Sequence, residues 1–157
     1  MALQLTAGDV LDIATQLELD ACAFYRKAAA LAQDKELAKQ LRSLADMEAT
    51  HAAEFRELKR LLGEKDAKLD EETARYLRAF ARNGYFNVSV DAAKVLAEQP
   101  TKKDILTFAL ERQRDAIAFY TGIRAMLPKR KGRDKIEAII LQETGHVGLL
   151  QSLLERL

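Results

Sequence analysis

Apolar side chains recur at spacings of three and four through most of the chain, the period of helices with one buried face. The plainest case is 41–62, where Leu41, Leu44, Phe55 and Leu58 share a stripe that also holds Glu48 and His51. A preceding helix is predicted from Thr6, because Thr6-Ala-Gly-Asp9 has the form of a capping box. Its inward stripe is Leu11, Ala14, Glu18, Ala21, Cys22, Tyr25, Ala28 and Ala32, and its many alanines favour helix and close helix approach. A turn at Gln33-Asp34 makes these two helices antiparallel neighbours, and Gly63 is expected as the C′ residue that ends the second.

A third long helix is predicted from the capping box Thr101-Lys-Lys-Asp104 through Leu127, where Pro128 stops it. After a basic turn holding Lys129, Arg130, Lys131 and Arg133, read as a solvated loop, a fourth runs from about Asp134 to the C-terminus. Gly145 and Gly148 interrupt its pattern, each weakening a helix by roughly 1 kcal/mol relative to Ala. A close helix crossing is the expected reason, with room for a metal or small substrate as the alternative. Between the two hairpins, 64–100 reads as a long, partly helical connector. A short helix over Asp70–Asn83 is stopped by Gly84, Tyr85, Phe86, Val88 and Val90 form an apolar patch expected to dock on the bundle, and a further helical piece covers Ser89–Gln99. A connector of this length can run the length of a bundle, so the second hairpin can start from the opposite end.

The two hairpins, about 6–62 and 101–157, are related by an offset of 95 residues. Glu48 maps onto Glu143, His51 onto His146, and Phe24-Tyr25 onto Phe119-Tyr120. The chain has two His, and each has a Glu three residues earlier; with 13 Glu in 157 residues that is about a 1 in 150 coincidence. Residues three apart on a helix are neighbours on one face. A Glu on an apolar face is paired or bound to a metal, since an unpaired buried charge is costly. Glu18, two turns before Tyr25, joins the inward set, and its counterpart in the second half is Gln113.

Composition narrows the class. The length of 157 residues suits a single domain, with 48% apolar and 31% charged residues typical of a helix-rich globular protein. A net charge of +1 gives no field directed at nucleic acid or an anionic membrane. One Cys excludes an intrachain disulfide, a four-Cys zinc site and a Cys-x-x-Cys redox pair. No apolar run approaches the roughly 18 residues of a membrane span, and Met1–Asp9 lacks the basic start of a secretory leader, so a reducing cytoplasm is expected.

The inward polar set is therefore Glu18, Glu48, His51, Gln113, Glu143 and His146. Carboxylates and imidazoles in a four-helix core are what a pair of Fe or Mn ions requires, and so many oxygen donors suit iron or manganese better than zinc. A metal-free buried ion-pair network is the competing reading, and it must bury three carboxylates against two imidazoles.

At Glu18 with Phe24-Tyr25, Glu48-x-x-His51, Phe119-Tyr120 and Glu143-x-x-His146, the chain resembles the rubrerythrin-like branch of the ferritin-like diiron-carboxylate superfamily. The resemblance covers both hairpins and leaves 64–100 uncovered. It implies an all-α, ferritin-like four-helix bundle holding two iron ions. Glu48 and Glu143 would bridge the ions, His51 and His146 would be terminal nitrogen ligands, and Glu18 a terminal carboxylate. Tyr25 and Tyr120 resemble family tyrosines that hydrogen-bond ligand carboxylates and fix their orientation. Cys22 is expected to be a core residue, its counterpart being Ile117. The implied activity is reduction of peroxide or dioxygen at the expense of Fe(II), peroxidase or ferroxidase in type; the alternative is an iron-binding or iron-handling protein without turnover. Gln113 departs from the family, which has Glu there. Gln can coordinate through its carbonyl oxygen but carries no charge, so the half-site with His146 is expected to bind metal more weakly. No rubredoxin-type Cys pairs are present, so electrons would come from an external donor; a homodimer is compatible with the resemblance.

Overall fold

The computed structural model describes residues 4–63, 66, 68–82, 88–97 and 99–157, and among them every regular element is a helix. In chain order these are α1 (Ala7–Leu31), α2 (Lys35–Leu61), α3 (Glu71–Arg82), α4 (Val88–Ala97), α5 (Lys102–Met126) and α6 (Arg133–Glu155). The long helices α1, α2, α5 and α6 form the bundle; α1 packs along α2, and α5 along α6.

The predicted starts are made by the predicted residues. Thr6 and Thr101 each close a capping box, with Asp9 and Asp104 returning the bond to the cap backbone. Asp34 caps α2 by accepting from the N–H groups of Glu36 and Leu37. The start of α6 is different: its N-cap is Gly132, at φ 86°, with no side-chain cap. Gly63 holds the C′ position of α2 but not the left-handed conformation expected there. Its N–H donates to Asp66 Oδ2 at 2.9 Å.

Buried apolar residues fall into two clusters. One gathers Tyr25, Ala28, Leu41, Leu44, Ile105, Leu106 and Leu150. The other gathers Val10, Leu11, Phe55, Leu58, Phe119, Tyr120, Ile123 and Ile136. Burying a large apolar side chain stabilises by roughly 1.5–3 kcal/mol, so each cluster can hold one end of the bundle. The first joins the end of α1 to the starts of α2 and α5, and the second joins the start of α1 to the ends of α2 and α5. Hence α1 runs antiparallel to α5, α2 antiparallel to α6, and the connector spans the bundle from end to end.

Within that connector α3 lies on α5. Tyr76 donates its hydroxyl to the Ala118 carbonyl at 2.7 Å, and a Cβ on Gly122 would stand 2.6 Å from Leu77 Cδ2. At the other end α4 contributes Ala92 to the first cluster. Of the expected apolar patch, Val90 is exposed rather than docked, while Tyr85, Phe86 and the Val88 side chain lie outside the described residues, as does Gly84, the expected stop of the preceding helix. Both readings of Gly145 and Gly148 are also corrected. A Cβ at either would meet nothing within 4 Å. They lie on the outward side of α6, so they mark neither a close crossing nor space at the site.

Candidate metal centre

Between the two apolar clusters, all four bundle helices turn polar side chains inward at one level. Glu18 comes from α1, Glu48 and His51 from α2, Gln113 from α5, and Glu143 and His146 from α6, and all six are buried. Helical rotation puts each Glu and its His on one face, and antiparallel packing sets the two pairs opposite one another.

The distances show how they interlock. His51 Nδ1 is 3.2 Å from Glu48 Oε2, 2.7 Å from Glu143 Oε1 and 3.9 Å from Glu18 Oε2. His146 Nδ1 is 2.9 Å from Glu143 Oε2 and 3.7 Å from Glu48 Oε1. Glu48 and Glu143 thus each turn one oxygen toward each imidazole. Donor atoms of Glu18, Glu48, His51 and Glu143 all lie within 4.8 Å of one another.

This donor set fits a cation. Glu143 Oε1 is buried and makes no hydrogen bond, although it is an ion-pair distance from His51 Nδ1. A single ring nitrogen faces three carboxylates and cannot satisfy them all. Without a metal, protons carry the compensation. Burial, then the charges of Glu143 and Glu48, push Glu18 well above the usual carboxylate range, against the pull of the Tyr120 hydroxyl. Burial opposes the charged form of His51, but contact with the Glu143 and Glu48 carboxylates outweighs it and raises the imidazole to about 10. Burial likewise works to raise Glu143, yet His146 and His51 hold it down to about 2. Divalent ions would displace such protons and take over their role.

The surrounding polar contacts are partly those expected. Tyr120 donates its hydroxyl to Glu18 Oε1, as a tyrosine orienting a ligand carboxylate should. Its repeat partner Tyr25 is linked to Glu48 through Gln113, accepting from Gln113 Nε2 at 3.2 Å. Gln113 is also turned the other way from the expectation of a carbonyl-oxygen ligand. Its amide nitrogen donates to Glu48 Oε1 at 2.6 Å, the carboxylate oxygen drawing the NH₂ side of the amide toward itself. Cys22 is a core residue, its thiol pushed up by burial.

Gln142 was not anticipated. Its Oε1 lies 2.7 Å from His51 Nε2, so the Nε2–H donates there and leaves Nδ1 facing the carboxylates. The residue preceding Glu143 gives no periodic signal of this role, and the same place in the first half is taken by Met47.

The rubrerythrin family profile matches residues 9–154, nearly the whole chain. The chain belongs to the rubrerythrin family. No curated protein matches the sequence. The fold is similar to that of a Thermotoga maritima protein described as ferritin-like and diiron-carboxylate, with a TM-score of 0.81 at 23% identity over 99% of this chain and 98% of the other. At that identity the likeness speaks for the fold, which is ferritin-like. The rubrerythrin-family chain therefore carries, at the middle of its bundle, a buried Glu/His cluster suited to metal. Among its described residues no helix is long and apolar enough to cross a membrane.

Proposed function

We propose that the chain is a dimetal-carboxylate oxidoreductase that reduces peroxide or dioxygen at the expense of Fe(II). The observation that carries this reading is the crossed pairing in which two buried carboxylates each offer one oxygen to each of two imidazoles. Glu48 and Glu143 would be shared between two ions, with His51 and Glu18 completing one half-site and His146 the other. When bound, two ferrous ions would supply two electrons, enough to cleave the O–O bond of peroxide or to reduce dioxygen to the peroxide level. The protein's own part is positional and protective. Gln142 keeps Nδ1 of His51 turned inward, Tyr120 fixes Glu18, and the two apolar clusters close the layer above and below along the bundle axis. Glu18, whose carboxyl holds a proton far above the usual range, gives that proton up as a cation enters. The single Cys, buried in the core, offers no electron relay within the described bundle, and a separate redox donor is part of this proposal.

Anaerobic Fe(II) loading followed by a stopped-flow pulse of hydrogen peroxide, with a chemical reductant present, tests the reading. Repeated fast oxidation is expected; a single slow bleaching supports iron binding without turnover. That second reading is favoured by one observation, the amide nitrogen that Gln113 turns into the layer where an anionic ligand would serve the second ion.

A further inference from the structure

Helices α1 and α5 touch only lightly, and between them a cleft holds about 40 Å³ of space open to a water-sized molecule. At roughly 10–15 Å³ for each water-sized centre, that is room for about three. Leu17, Ala21, Phe108 and Ala116 form its walls. Its floor is polar: Glu18, Glu48 and Gln113 line it, and neither imidazole does. The cleft therefore meets the cluster on the side opposite the two histidines. At its rim Arg112 Nη2 pairs with Asp115 Oδ2 at 3.0 Å, both about a quarter exposed, and the guanidinium carbon lies 5.5 Å from the centre of the Phe108 ring.

We propose that this cleft is the passage by which the oxidant reaches the centre, and that its walls and rim limit that oxidant to a small uncharged molecule. The inference rests on the dimetal reading above. Size follows from the volume. Charge follows from the walls, since an ion crossing an apolar passage loses its hydration without replacement. The floor supports the same choice: at Gln113 the lining carries a neutral amide, already committed to Glu48 and Tyr25, in place of a further charge. Ala21 and Ala116 set the width, and the Arg112–Asp115 pair is the outer stop. Hydrogen peroxide and dioxygen pass; a bulky aryl hydroperoxide does not.

Two measurements test this, one of them free of metal. Crystals of chelator-treated protein pressurised with xenon should show an atom among Leu17, Ala21, Phe108 and Ala116, and Ala116→Leu should remove it. The absence of xenon there in the unsubstituted protein would overturn the passage. In Fe(II)-loaded protein, Ala116→Leu should slow oxidation by hydrogen peroxide at least tenfold with bound iron unchanged, and Ala21→Leu on the opposite wall should do the same if the first variant folds poorly. Arg112→Ala should raise the rate with cumene hydroperoxide relative to hydrogen peroxide. Wild-type peroxide rates in a variant that has lost its xenon site would place entry elsewhere and refute the inference. Iron that fails to bind, or bound iron inert to peroxide in the unsubstituted protein, would overturn the dimetal reading and this inference with it, whatever the xenon result.

Discussion

Gln113→Glu is the substitution that most directly probes the centre. In the metal-free protein the introduced carboxylate would stand where the amide nitrogen now lies, 2.6 Å from Glu48 Oε1. Two unit charges that close, at an effective dielectric of 20, repel by about 6 kcal/mol. The variant will avoid most of that by binding a proton, so its cost appears as a destabilised, proton-loaded apoprotein. With a divalent ion the sign reverses. At about 4 Å and the same dielectric, a doubly charged ion and a carboxylate attract by about 8 kcal/mol before desolvation. Even a fifth of that exceeds the 1.4 kcal/mol that makes a tenfold change in affinity. Anaerobic Mn(II) titration by calorimetry should therefore give two unequal steps in the unsubstituted protein and two steps within tenfold of each other in Gln113→Glu. The variant should melt lower than the parent with chelator and higher with saturating Mn(II). Two equal, tight steps in the unsubstituted protein would refute the reasoning, because another oxygen would then be doing what the missing carboxylate was assigned.

Three further outcomes follow from the geometry. His51→Ala should lower the metal content of purified protein well below that of Cys22→Ala, since one loses a ring nitrogen at the centre and the other a core sulfur; equal contents by elemental analysis would contradict this. Gly132→Ala should destabilise by about 2–4 kcal/mol, combining left-handed strain with overpacking, because φ is 86° and the new Cβ would fall 2.2 Å from Leu58 Cδ2; an unchanged melting temperature would count against both. For pH, the His51 imidazole is raised from 6.5 to about 10, so its stabilising contribution is complete below pH 6.5 and lost as pH rises through about 10. The melting temperature of chelator-treated protein should fall between pH 7 and 10, and a rise over that interval would contradict the assignment of a proton to His51.

What could be read from the chain and what could not divides along a physical line. The Glu-x-x-His pairs, Glu18 and both capping boxes depend on rotation along one helix, a property of local spacing, and the structure sets them where that spacing points. Gln142 and the orientation of Gln113 depend on how closely α2 approaches α6 and α5 approaches α2, which no local period contains. Gly132 is equally hidden: besides its left-handed φ, the Leu58 side chain, distant in sequence, leaves no room for a Cβ there. Gly145 and Gly148 were misread for the opposite reason. Their positions relative to Glu143, roughly 200° on and more than a full turn on, put them off the inward face, on a side where a helical glycine has no packing role.

The repeat makes the two halves equal in backbone and unequal in chemistry, and the inequalities fall on the same side. Glu18 lies beside His51, whose ring is oriented by Gln142. Gln113 instead bonds Glu48 Oε1, the oxygen turned toward His146, and the residue corresponding to Gln142 is Met47, which cannot accept as a carbonyl does. One proposed half-site thus has both a carboxylate of its own, Glu18, and an acceptor that orients its imidazole, while the other has neither. Had the two absences fallen on different halves, each ion would be held about equally and less tightly. Concentrated in one half, they would leave a first ion held by Glu18, Glu48, His51 and Glu143, and a second held mainly through carboxylates shared with the first. Under the proposed reading loading would be ordered, the first ion displacing the protons of Glu18 and His51 before the second enters between Glu48, Glu143 and His146.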